Sequence, residues 1–155
     1  MRVTVHSVAG RMPAWVDDAV QDYAKRLPRE FQLSWRTVPV PKSQGGGAAA
    51  QREREGEAIL KGLRDSEHCV ALDGRGKSWT TEELAEQLRG WLMGGQPLSL
   101  LIGGPDGLSP ACLAAAKQRW SLGPLTLPHP LVRVLLVEQL YRAWTITIGH
   151  PYHRA

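Results

Sequence analysis

The chain has 155 residues, 43% of them hydrophobic and 22% charged, globular proportions that exclude wholesale disorder and suit a single domain spanning residues 1–155. Two cysteines, Cys69 and Cys112, are too few for a disulfide scaffold, and no apolar run reaches membrane-spanning length. The net charge is +4, and the whole surplus lies at one end: residues 1–106 hold 14 Lys or Arg against 14 Asp or Glu, whereas residues 107–155 hold Lys117, Arg119, Arg133, Arg142 and Arg154 against Glu138 alone. His129, His150 and His153 fall in that end too, which makes it a candidate surface for a polyanion such as nucleic acid.

The opening stretch MRVTVHSVA alternates like a strand and lacks the apolar core of a signal peptide, so a cytoplasmic location with reduced thiols is expected. PAWVDDAVQDYAKRL reads as a helix with Pro13 in its first turn and Trp15, Val16, Val20, Tyr23 and Leu27 on one face. FQLSWRTVPV alternates again. A Gly-rich loop, KSQGGG, then leads into a charged helix through Ile59, Leu60 and Leu63.

CVALD is a short apolar strand followed by a loop, GRGKSW, and Thr80 with Glu83 has the spacing of a capping box for a helix through Leu92. PLSLLIGG is a buried strand, PDG a turn, and Ser109 with Pro110 an N-cap and first-turn pair for ACLAAAKQ. RWSLG reads as a last strand. The final helix, LVRVLLVEQLYRAW, is apolar on more than one side, so it is expected to pack on the sheet and on something else, most simply a second copy of the chain. Strands alternating with helices predict an α/β fold with a mostly parallel sheet flanked by helices.

GRGKS, Gly74 to Ser78, imitates the end of a phosphate-binding P-loop, but the position five before Gly76 is Ala71, so the glycine cradle is incomplete. Arg75 and Lys77 remain as loop cations able to meet RNA phosphates. His150 and His153 are three apart with Pro151 between them and no cysteine nearby, a weak basis for a metal site, and none is expected. No serine sits in a nucleophile elbow. LLIGGPDG is the stronger candidate, because ligands of open α/β sheets bind beyond the carboxyl ends of strands, where glycines let backbone come close. The strand ends ALDGRG and SLGPLTL add Leu72, Leu122, Leu125 and Leu127, apolar faces with free backbone edges of the kind a flat adenine needs.

LDGRGK, IGGPDG, LTLPHPLVRVLLVEQLYRAW and the terminal HPYHR fall in the order and spacing of the SPOUT-class methyltransferases. Over essentially the whole chain the sequence resembles the small family among them that methylates N3 of a pseudouridine in the large-subunit (23S) ribosomal RNA. The resemblance implies a SPOUT-type fold with a C-terminal trefoil knot, a homodimer, and S-adenosyl-L-methionine held in the knot by Leu72, Gly103, Leu122, Gly123, Pro124, Leu125, Thr126 and Leu127, largely through backbone. Pro124 departs from that expectation, since it has no amide to donate. A knotted methyltransferase acting on a transfer RNA ribose 2′-hydroxyl and a non-catalytic ribosome-associated RNA-binding factor stay open as other readings.

N3 of a uracil-like imide carries a proton and is a poor nucleophile until it leaves, so the site needs a base and a cation beside the developing charge. Arg142, cationic at any working pH, is the expected stabiliser, His153, with an ordinary pKa of about 6.5, the expected base, and Tyr152 a stacking or hydrogen-bonding partner of the substrate base. Arg154 and His129 join Arg75 and Lys77 as expected RNA contacts, although Arg142 could equally pair with Glu138 and His129 could cap the last helix. Without an extra RNA-binding domain, the protein is expected to need a preassembled target, the large subunit or the whole ribosome.

Overall fold

The computed structural model describes residues 1–42 and 44–154. The order is β1 (Arg2–Val8), α1 (Ala14–Ala24), β2 (Gln32–Val38), α2 (Gly47–Leu60), β3 (His68–Ser78), α3 (Thr81–Gly94), β4 (Leu98–Ile102), α4 (Pro110–Ala115), β5 (Gln118–Ser121) and α5 (His129–Thr147). All five strands form one parallel sheet in the order β2-β1-β4-β3-β5. Such a sheet is covered on both faces, and its central strands are accordingly mostly apolar where they are buried, with His6, Ser7 and Ser99 the polar exceptions. Val70, Leu98, Leu100 and Trp120 meet α3 and α5 on one side, while Cys69, Ala71 and Leu101 meet α2 and α4 on the other.

Several local expectations hold and others shift. Thr80 Oγ1 accepts from the Glu83 amide at 3.1 Å and the Thr80 amide donates to Glu83 Oε2 at 2.8 Å, closing the capping box. Ser109 Oγ caps α4 through the Cys112 amide at 3.2 Å. Pro13 stands one place before α1, not in its first turn, and Trp15 points to solvent at 52% exposure while Val16 and Val20 carry the buried face. α4 stops at Ala115, freeing Gln118 to begin β5.

GRGKS is not a loop. β3 runs on through it, with a register irregularity between Leu72 and Lys77, and pairs Lys77 with Trp120. Gly76 makes this possible: a Cβ there would come within 2.6 Å of the Arg119 carbonyl carbon. The apolar band of α5 is also largely consumed within the chain, Leu131 being the exposed exception. Val137 packs with Val16 and Val20 of α1, and Leu136, Leu140 and Ala143 pack with Leu84, Ala85 and Leu88 of α3. The band's width therefore does not by itself require a second copy.

One polar cluster ties the far layer down. Arg36 of β2 donates to the carbonyls of Ala58 at 2.7 Å and Ile59 at 3.1 Å, supplying the cation that the last turn of α2 lacks. It also faces Nδ1 of the buried His6, whose Nε2 meets Ser99 Oγ at 3.3 Å. Burial first, then Arg36, pushes the His6 pKa down to about 4, while Glu67 opposes the shift. Because the unfolded chain takes up this proton near pH 6.5 and the folded chain only near 4, the contribution is full above 6.5 and is lost as pH falls through that window. Denaturant titrations from pH 7 to 4 should show at most about 3 kcal/mol of this loss, and His6→Asn should flatten the slope between those limits.

Candidate active site

The chain leaves β1 toward β2 on one side and leaves β4 toward β5 on the other, so the carboxyl ends of β1 and β4 flank a topological switch point. Residues 122–128 return from the edge strand β5 across these ends to reach α5. A cavity of about 370 Å³ lies under the return, between Leu72, Asp73, Gly103, Gly104, Trp120 and the run Leu122–Leu127. A second, of about 470 Å³, adjoins it over β1 and is lined by Val8, Gly10, Val40 and His129; the two share Ile102, Gly103, Gly104, Pro105, Leu127 and Val132. Both volumes fall in the range of small-molecule sites, roughly 300–1,000 Å³.

All eight residues expected to hold the donor line the first cavity. Gly103 is there for close approach: a Cβ would lie 2.5 Å from the Gly107 carbonyl carbon and 2.7 Å from the Leu108 nitrogen, backbone atoms with nowhere to go. Gly123 has φ +122°, a conformation other residues rarely adopt, and its amide and carbonyl are both engaged by Ser121 Oγ at 3.2 Å. Pro124 has no amide. Leu125, Thr126 and Leu127 thus supply the backbone edge, for among the described residues their amides have no hydrogen-bond acceptor. Leu125, 78% exposed, offers an uncovered apolar face at the mouth. Apolar walls with unpaired amides fit an adenosyl group.

Asp73 went unnoticed in the sequence. It lines this cavity with a buried Oδ2 that accepts no hydrogen bond and has only the exposed Arg75 Nε nearby, at 3.5 Å, which leaves it suited to a ribose hydroxyl. Glu55 is a second case. It is 3% exposed, its Oε1 lacks a partner, and its carboxylate lies against Gly104, 2.9 Å from where a Cβ would stand. Burial and the nearby Asp106 push its pKa up. Neither residue sits in a spacing that distinguishes it from a surface acid.

Arg142, Tyr152 and His153 come together at the other end of α5. Glu138 Oε1 takes Arg142 Nε at 2.8 Å, Arg142 Nη2 at 2.7 Å and the Tyr152 hydroxyl at 3.1 Å. Arg142 lies over the Tyr152 ring at 4.8 Å, and Tyr152 meets the Tyr141 ring edge-on at 4.6 Å. Pairing with Glu138 therefore holds Arg142 in the cluster, and Glu138 is its hub. The Glu138 hydrogen bond also raises the Arg142 pKa, and burial, then Glu138, raises that of Tyr152, so the guanidinium stays charged and the phenol protonated at neutral pH. His153 contacts Glu82 through Nε2 at 3.0 Å and Arg142 through Nδ1 at 3.4 Å. With Nε2–H donating to the carboxylate, Nδ1 carries the lone pair.

The expected RNA contacts are scattered. Arg75 and Lys77 are exposed on the distal part of β3, with Arg75 3.5 Å from Asp73, and Arg154 is exposed at the tail. His129 does not cap α5; it is the first residue of that helix, half-buried, and its Nε2 accepts from Arg133 Nε at 2.8 Å. Burial, then Arg133, lowers its pKa, so it faces the second cavity as a neutral hydrogen-bond donor through Nδ1.

The model of the predicted SPOUT methyltransferase family matches residues 1–153. The solved structure of a probable methylase family protein from Haemophilus influenzae superposes with a TM-score of 0.57 at 14% identity, covering 99% of this chain and 70% of that one. Fold and family model thus define a SPOUT methyltransferase. The chain is also 54% identical over 155 residues to ribosomal RNA large subunit methyltransferase H of Hahella chejuensis, covering 99% of each, and 54% identical over 157 residues to the protein of that name from Alkalilimnicola ehrlichii, covering 100% of each. It belongs to the same family, whose methyl donor is S-adenosylmethionine. Because Gly103 abuts backbone, Gly103→Ala should weaken donor binding in calorimetry by about tenfold or more while costing the fold about 1–3 kcal/mol.

Proposed function

We propose that the protein transfers a methyl group from S-adenosylmethionine to N3 of a pseudouridine in 23S ribosomal RNA, within an assembled large subunit or ribosome, and that it does so as a homodimer. The observation that carries this reading is the 54% identity, over the full length, to relatives named for the large-subunit RNA. The donor supplies an electrophilic methyl group in the first cavity. The adjoining cavity at the switch point, apolar along Val8 and Val40, receives the target base.

His153, oriented by Glu82, takes the N3 proton on Nδ1 as Arg142 Nη1, 3.4 Å away in the free site, turns from it to the substrate. Arg142, fixed by Glu138, stabilises the resulting imide anion, and Tyr152 offers a ring face and a hydroxyl to the base. Fixing Arg142 before the substrate arrives lowers the entropy lost in reaching the reactive geometry. Arg154, Arg75 and Lys77 contact phosphates, and His129 donates to the RNA as a neutral group.

Ten residues of α5 separate Val132, at the donor cavity, from Arg142, which is about 15 Å along a helix. A rigid helix cannot bring the two ends together, so the tail of one protomer serves the donor cavity of the other. Trp15, Leu131 and Ile148, exposed at 52%, 46% and 54%, are the apolar contacts for such a pairing. A chain lacking residues 152–155 should keep its fold and its donor affinity yet transfer no methyl group to ribosomes, as followed by tritium incorporation and nucleoside identification. Mixed and re-equilibrated with an equal amount of Gly103→Ala, which is competent in its tail, at a donor concentration too low for Gly103→Ala alone to act, it should recover about a quarter of wild-type activity, the share of sites made whole in mixed dimers. Absence of recovery would refute the shared site, and methylation of a transfer RNA ribose instead of the ribosome would refute the substrate.

A further inference from the structure

Arg133 lies in the first turns of α5 and is 6% exposed, yet every group it bonds is neutral. Nε donates to His129 at 2.8 Å, Nη2 donates to Ser7 Oγ at 2.7 Å and Thr37 Oγ1 at 3.3 Å, and the guanidinium sits 5.0 Å over the Trp35 ring. Among the described residues no carboxylate pairs with it and no acceptor meets Nη1. A buried cation is costly without a counter-ion, and a guanidinium cannot escape the cost by giving up its proton at working pH.

Arg133 forms one wall of an open cavity of about 670 Å³ with Arg11, Met12, Thr37 and Asp17. This cavity shares Gly10 and Met12 with the one at the switch point, which in turn adjoins the donor cavity. The three make a continuous groove along the carboxyl ends of the sheet, with the methyl donor at one end and Arg133 at the other. We propose that Arg133 is the floor of an anion site that takes a backbone phosphate of the RNA, at the end of the groove away from the methyl donor. The site rests on the methyltransferase reading above.

A strand that presents a base at the middle cavity carries its backbone along the groove, and a phosphate is the anion it brings. Arg133 is held rigid by its neutral partners with Nη1 left to donate, and the exposed Arg11 adds a second cation at the rim. Asp17, in the first turn of α1, lines the same cavity and works against an anion. The two residues should therefore act in opposite directions.

Binding of large ribosomal subunits at several salt concentrations, with S-adenosylmethionine present, tests this. Arg133→Met should weaken binding about tenfold and lower the slope of log affinity against log salt by about one, Arg133→Lys should recover the slope, and Asp17→Asn should tighten binding. Donor affinity should be unchanged in all three. An unaltered slope in Arg133→Met with donor binding intact overturns the site. So does a weakened dimer in sedimentation with the slope unchanged, which would give Arg133 to a carboxylate of the second copy. Should Arg133→Met fail to fold, Asp17→Asn decides, and unchanged or weaker binding overturns the proposal. A wild-type protein that binds no subunits ends the ribosomal reading and this site together, whereas one that methylates them with unresponsive variants ends this site alone.

Discussion

Everything in this molecule depends on a backbone-to-backbone contact at Gly103. There the end of β4 presses against Gly107 and Leu108 with no room for a single methyl group. Gly76 makes a similar approach to Arg119 and Trp120. These two contacts fold the strand ends tightly enough for residues 122–128 to cross the sheet above them. Without that crossing, α5 would start at the edge of the sheet and could not lie between α1 and α3. The donor cavity and the core are thus consequences of one piece of steric economy.

The polar chemistry is organised around two unlike solutions to burying charge. At the end of α5, Glu138 gathers Arg142 and Tyr152 on one oxygen, so that the cation is neutralised locally and aimed at the same time. At its start, Arg133 is surrounded by hydroxyls, an imidazole and an indole face, which orient it without an ion pair among the described residues, Asp17 acting on it only from across the cavity. A single helix therefore carries an ion-paired cation four residues after its middle and one with no ion pair five residues before it. The proposed roles match this difference: Arg142 would keep its place through a reaction, whereas Arg133 would receive an anion.

Much of the fold could be read from the sequence because the signals were local. Capping at Thr80 and Ser109, alternation in β1 and β2, and the apolar run of β4 each specify a short piece of chain regardless of its surroundings. What escaped depended on contacts between distant residues. GRGKS looks like a turn, but Gly76 is a strand residue that admits β5 alongside. Trp15 fits the helical spacing of Val16 and Val20, but no element covers that side of α1. The residues expected to hold the donor, which line one cavity, came from a resemblance concentrated in the tail and the strand ends. The pairing of Arg142 with Glu138 was legible from their spacing of one helical turn, but Asp73 and Glu55 were not, since a buried carboxylate and a solvated one look alike until their neighbours are known.

The return segment carries one more implication. Its polar edge is main chain, at Leu125, Thr126 and Leu127, while the side chains of residues 124–126 point outward and are exposed. A recognition surface made of amides is indifferent to most side-chain replacements, because every residue but proline brings the same donor. Replacement of the exposed side chains would leave that row of amide donors in place. Lineages of this chain can change what they touch outside without renegotiating what they hold within.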